Sequence, residues 1–151
     1  MLEKLTKEEL EEKFELFLFN MADCLEQFEE KTDKQGYNFD YTLNSLPLIE
    51  KYIIDNNILI DSNDYNDISS YLGEVVRKNF KASKWICNLD NVNNSLYFGF
   101  PVITGHSKVK GVLFSPFHLV KAFILRKKLN LLYQAIESQV NPQPIDWSKK
   151  K

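Results

Sequence analysis

The sequence predicts an α+β fold with helices first, a small antiparallel three-stranded sheet next, and a C-terminal helix or helix pair packed back on it. Three observations predict it. Up to about residue 80 the apolar residues recur at three- and four-residue steps, the period of a helix with one buried face. From Lys84 to Phe114 the pattern changes to short alternating runs broken by Gly- and Asn-containing turns, the period of strands. After Ser115 the helical period returns. At 151 residues and 44% hydrophobic, the chain has material for one core, so residues 1–140 are read as a single domain and 141–151 as a flexible tail.

The first helix has the clearest signals. Thr6 and Glu9 form the S/T-x-x-E capping box, in which each side chain serves the other's backbone N–H. Leu10, Phe14, Phe17, Leu18, Met21, Leu25 and Phe28 then share a face, opposite Glu11, Glu12, Glu15, Glu26, Glu29 and Glu30. Packing on its own domain is the first use of that seam; a homodimer through helix 6–34 is the alternative. Asp40-Tyr41-Thr42 opens a second helix, where Pro47 is tolerable only near the first turn because it lacks an N–H. A third helix runs from about Asp64 to Phe80, with Gly73 inside it. Glycine there costs about 1 kcal/mol against Ala, and close packing of another backbone is the usual reason for accepting it.

Lys84 to Leu89 reads as the first strand. A turn follows at Asp90–Asn94, and Leu96, Phe98 and Phe100 lie on one face of a second strand that Pro101 ends or places at an edge. Thr104–Lys108 is a turn, and Val109 to Phe114 a third strand. Ser115-Pro116 is an N-cap followed by Pro at the first helical position. The helix it starts either continues past Arg126-Lys127-Lys128 or gives way to a new one at Asn130.

Charge is segregated along the chain. Residues 1–33 hold eleven acids and four lysines, net −7, and residues 104–151 two acids and nine bases, net +7. Either an acidic helix lies beside a basic one or the protein has two oppositely charged faces; such asymmetry bears on partners and association rates rather than fold. No apolar run reaches the ~20 residues a bilayer span needs, and the N-terminal stretch is not a signal peptide, so no membrane partner is expected and the cytoplasm is the expected compartment. Cys24 and Cys87 are read as two ordinary core or near-core thiols.

No motif carries a reaction. His106 and His118 lack zinc spacing with Cys87, so no metal and no cofactor is assigned. Gly105, His106 and Lys108 lie in a loop that could cradle an anion, but its glycine spacing is not that of a P-loop and it leads to a strand. Glu74 and Arg77, at i,i+3, form a surface pair, a polar anchor between helix and sheet, or, with Lys84 and Trp85, part of a binding cleft. Nucleic acid is not expected as a partner, because the acidic first helix would repel phosphates.

Two blocks resemble a known pattern. Asp40-Tyr41-Thr42-Leu43-Asn44-Ser45-Leu46 is similar to a D-Y-[ST]-x-x-S-L segment, and Tyr71–Phe80 followed by Trp85 to a Y-L-G-E-V-x-R-x-N-F…W segment. With the Pro-Phe-x-x-Val start at Pro116, they resemble a family of small bacterial proteins of unknown function, over about residues 39–125. The resemblance implies a bacterial protein with an α+β fold and carries no activity. The functional expectation is a non-enzymatic protein-interaction module of immunity, antitoxin-like or regulatory type. A small enzyme or ligand-binding domain is the alternative, and nucleic-acid binding the third.

Overall fold

The computed structural model describes residues 6–89 and 99–141. The elements are α1 (Lys7–Lys34), a 3-10 turn (Leu43–Ser45), α2 (Leu46–Asn56), α3 (Asn63–Asn79), β1 (Lys84–Cys87), β2 (Pro101–Thr104), α4 (Pro116–Arg126) and α5 (Leu131–Val140). The α+β class holds, with five helices and a small antiparallel sheet among the described residues.

Helix α1 starts as its capping box dictates: the Glu9 N–H donates to Thr6 Oγ1 at 3.1 Å, and the Thr6 N–H to Glu9 Oε1 at 2.9 Å. Met21, Leu25 and Phe28 are buried against α3, while Phe14 and Phe17 are half-buried. Leu18, expected on this face, is exposed. It lies one residue, or about 100° of helix turn, from Phe17, beyond the narrow stripe that the first half of α1 buries.

The second helix starts later than Asp40. The Asp40 carboxylate accepts from both the N–H and the hydroxyl of Thr42, and Tyr41 is left-handed at φ 64. That side-chain-to-backbone bond competes with helix formation. The 3-10 turn follows, and α2 begins at Leu46 with Pro47 in its first turn, where its missing N–H costs nothing.

Helix α3 is the centre of the molecule. Ser62 caps it through the Tyr65 N–H, and every residue from Ile68 to Val76 is buried, as expected of a helix covered on all sides. It packs against α1, α4 and both strands, while α5 closes the far side on α2 and α4. Tyr52, Tyr71, Phe28 and Phe39 form an aromatic cluster between α1, α2 and α3, with edge-on contacts such as Phe28–Tyr52 at 5.6 Å.

Among the described residues the sheet is smaller than expected. β1 and β2 pair in the register Lys84↔Thr104 to Cys87↔Pro101, so Pro101 opens the second strand instead of ending it. The first residue of a strand tolerates proline. The expected strand over 96–100 falls partly outside the described residues, and its last residues, Gly99 and Phe100, form a bend. The expected third strand, Val109–Phe114, reduces to a single bridge, Ile103↔Phe114. Two local features stop it pairing further: Ser107 Oγ accepts the Val109 N–H, and Gly111 turns the chain at φ 83. The C-terminal part is a helix pair. Lys127 at φ 51 ends α4 and Asn130 at φ 73 precedes α5. The tail expected over 141–151 lies outside the described residues apart from Asn141.

Candidate functional site

Three of the four residues expected around Glu74 meet. The Glu74 carboxylate, 8% exposed, accepts from Arg77 Nε at 2.7 Å and Nη2 at 2.8 Å, and from the Trp85 indole N–H at 2.8 Å. Burial alone would raise its carboxyl; the bonds from Arg77 and Trp85 and the charges of Arg77 and Lys78 outweigh that and hold it below the usual range. Glu74 therefore ties α3 to β1. Lys84 is exposed at the start of β1 and takes no part in this contact. Gly73 is explained by a side chain rather than a backbone: a Cβ there would lie 2.1 Å from two carbons of the Trp85 ring and 3.2 Å from Pro116 Cγ.

The two sequence blocks also touch each other. Tyr71 donates to Ser45 Oγ at 2.8 Å and accepts the Tyr41 N–H at 2.9 Å, and Asn79 donates to the Tyr41 carbonyl at 2.8 Å. Tyr41 donates to Glu29 at 2.9 Å, and the Lys78 ammonium lies 4.1 Å above its ring. These residue types at this spacing join α1, the 3-10 turn before α2, and α3.

The hairpin of Gly105, His106 and Lys108 is only in part a surface turn. Gly105 has φ 87, and a Cβ on it would lie 2.3 Å from the Ala82 carbonyl oxygen. The His106 side chain is buried, with Nε2 2.7 Å from Gln139 Oε1. Gln139 donates its amide to the Leu113 carbonyl, so its oxygen faces the imidazole and His106 carries its proton on Nε2. Lys108 is exposed.

A site the sequence did not reveal lies elsewhere: a cavity of about 550 Å³ between α1, the start of α3, Gly99–Pro101 and α4. Phe14, Phe17 and Met21 of α1 line it, with Tyr65, Phe100 and Phe117. The rings hold one another in place, Phe17 against Phe117 at 5.8 Å and Phe100 against Phe117 at 6.5 Å. Tyr65 donates to the Phe117 carbonyl at 2.6 Å and so pins α3 to α4; burial pushes its hydroxyl up to about 12. Phe17 also connects the cavity to the Glu74 cluster, its ring meeting Trp85 edge-on at 5.1 Å. Glu74, Arg77, Lys84 and Trp85 do not line the cavity.

Polar side chains share the lining with these rings. Lys13, Lys121, Asp61, Asn20 and Asn66 are exposed at its edge. His118 is half-buried, with Nδ1 2.7 Å from Ser115 Oγ. Asp67 is half-buried, and burial pushes its carboxyl up to about 6, against the charge of Lys31 and with that of Asp64. Cys24, expected in or near the core, is exposed instead; its free thiol in the lining is raised by partial burial and by the charges of Asp67 and Asp23, which works against nucleophilic use. Among the described residues no group of three or more His, Cys, Asp or Glu is placed to hold a metal ion. No helix among them is long and apolar enough to cross a membrane. Comparison of the chain with protein-family models, with curated proteins and with solved structures found no match.

Proposed function

We propose that the protein is a binding domain for a small molecule, held in the cavity between α1, α3 and α4. The observation that carries this reading is the cavity itself: about 550 Å³, walled by aromatic rings, with Asp67 and His118 half-buried in the lining and further polar groups exposed at its edge. Ligand sites are characteristically concave, mostly apolar and of roughly 300–1,000 Å³. The raised Cys24 thiol favours binding over nucleophilic catalysis by that group. A fragment screen read by amide chemical shifts tests it. Hits are expected to move Cys24, Tyr65 and Lys121, and Cys24→Trp, which fills the cavity from an exposed position, abolishes them. Hits scattered over the surface and indifferent to Cys24→Trp would remove the reading.

A second reading, protein interaction through the outer face of α1, is favoured by its own observation. Leu16 is 59% and Phe19 81% exposed, amid the acids of this helix. Among the described residues no ion pair joins α1 to α4 or α5. The acidic face therefore keeps its charge for a basic, apolar partner. A second copy offers such a surface, with exposed Leu125 and Leu129 around Arg126, Lys127 and Lys128. Sedimentation that is concentration-dependent, weakened by salt and abolished by Phe19→Ser supports self-association; a salt-independent monomer at all concentrations argues against it.

A further inference from the structure

We infer that the cavity takes a ligand with a cationic nitrogen on an apolar or aromatic body, the nitrogen paired with the Asp67 carboxylate. The inference rests on the cavity being a binding site and names what it binds.

Asp67 makes no hydrogen bond and no ion pair with any residue described, although it is half withdrawn from water. A carboxylate in that position normally recruits a partner, because its desolvation is otherwise uncompensated. The charge of Lys31 offsets part of that cost, but none of the described groups facing it forms a bond to it. Lys31 of α1 is committed to Asp64, one turn earlier on α3. Cys24 of α1 offers a thiol, a weak donor. Asp64, on its own helix, repels it. The carboxylate titrates near pH 6 because of burial, so at neutral pH it is ionised and poorly solvated. A cation arriving there recovers a charge-assisted bond without first stripping a well-hydrated carboxylate.

The remaining walls suit the body of such a molecule. Phe14, Phe17, Phe117 and Tyr65 present ring faces and edges that take a flat apolar group and also favour a nearby positive charge. Lys13 and Lys121 are exposed, so their ammonium groups remain hydrated and bind an anion weakly.

Three indoles of one shape separate the possibilities: tryptamine, tryptophol and indole-3-acetate, titrated calorimetrically and by amide shifts into the wild type and Asp67→Asn. Tryptamine is expected to shift Cys24, Tyr65 and Asp67 and to bind about tenfold more tightly than tryptophol, the worth of one charge-assisted hydrogen bond. Asp67→Asn removes that preference, and so does lowering the pH below about 6. If all three indoles bind the cavity equally, or tryptamine is indifferent to Asp67→Asn, the cavity survives as a binding site and the cation assignment fails. Tighter binding of indole-3-acetate assigns the cavity to anions and overturns it as well. If none of the three moves a cavity resonance, both the assignment and the binding reading fall.

Discussion

Gly73→Ala isolates the contact that joins α3 to β1. On an exposed helix this substitution would add about 1 kcal/mol of stability. Here the new Cβ would lie 2.1 Å from Cη2 and Cζ2 of Trp85, so the indole must move. The ring is held by its bond to Glu74 at 2.8 Å and by Phe17 at 5.1 Å. Losing a buried hydrogen bond to an ionised carboxylate costs roughly 1.5–3 kcal/mol, and over-packing roughly 1–3 kcal/mol more. Against the propensity gain, the net destabilisation is about 2–5 kcal/mol, a fall in Tm of roughly 5–15 °C for a chain of this size. Urea unfolding followed by far-ultraviolet circular dichroism reads it. The same substitution in a Trp85→Leu background, where the ring is gone, is neutral or stabilising by up to about 1 kcal/mol. If Gly73→Ala stabilises the wild-type protein by that amount, the packing argument is wrong.

Glu50, 3% exposed on α2, accepts the Asn130 N–H at 2.7 Å and the Leu132 N–H at 3.1 Å, capping α5 from across the fold. Glu50→Ala leaves both donors unpaired and should cost about 2–4 kcal/mol in urea unfolding, with faster amide exchange at Leu132 and a smaller loss for Glu50→Gln. Asp67 has its folded-state carboxyl raised from 3.8 to about 6, so its contribution is full below pH 3.8 and is lost as pH rises through 6. After discounting for its partial exposure, Asp67→Asn should add roughly 1 kcal/mol near neutral pH and nothing in acid, read from the urea midpoint across pH. Glu74 has the opposite sign: its carboxyl is lowered, so the stability it confers is present above the ordinary glutamate range and lost as pH falls, a loss that Glu74→Gln removes from the acid limb. Gly105→Ala forces a side chain into φ 87 and against the Ala82 carbonyl, and should destabilise by about 2–4 kcal/mol in the same assay.

Features set by neighbours in sequence were legible. The Thr6–Glu9 box, the Ser115 cap with Pro116, and Pro47 in a first turn each depend on residues within one helical turn. The Glu74–Arg77 pair was legible for the same reason; its third member, Trp85, came from the next element and could only be placed as an alternative. The third strand failed because alternation over Val109–Phe114 competes with the Ser107 and Gly111 turns, a balance only tertiary packing decides. The Glu50 cap spans about eighty residues, so no local pattern marks it. The cavity was hidden in the same way. Its lining comes from four separate stretches, and Asp67 differs from its neighbour Asp64 only in what faces it after folding.

The most direct test of the cavity as a cation-binding site is a crystal structure of the protein soaked with tryptamine. Density is expected for the indole against Phe17 and Phe117, with the amine nitrogen within hydrogen-bond distance of the Asp67 carboxylate. Density elsewhere on the surface, or an empty cavity at saturating ligand, would contradict it.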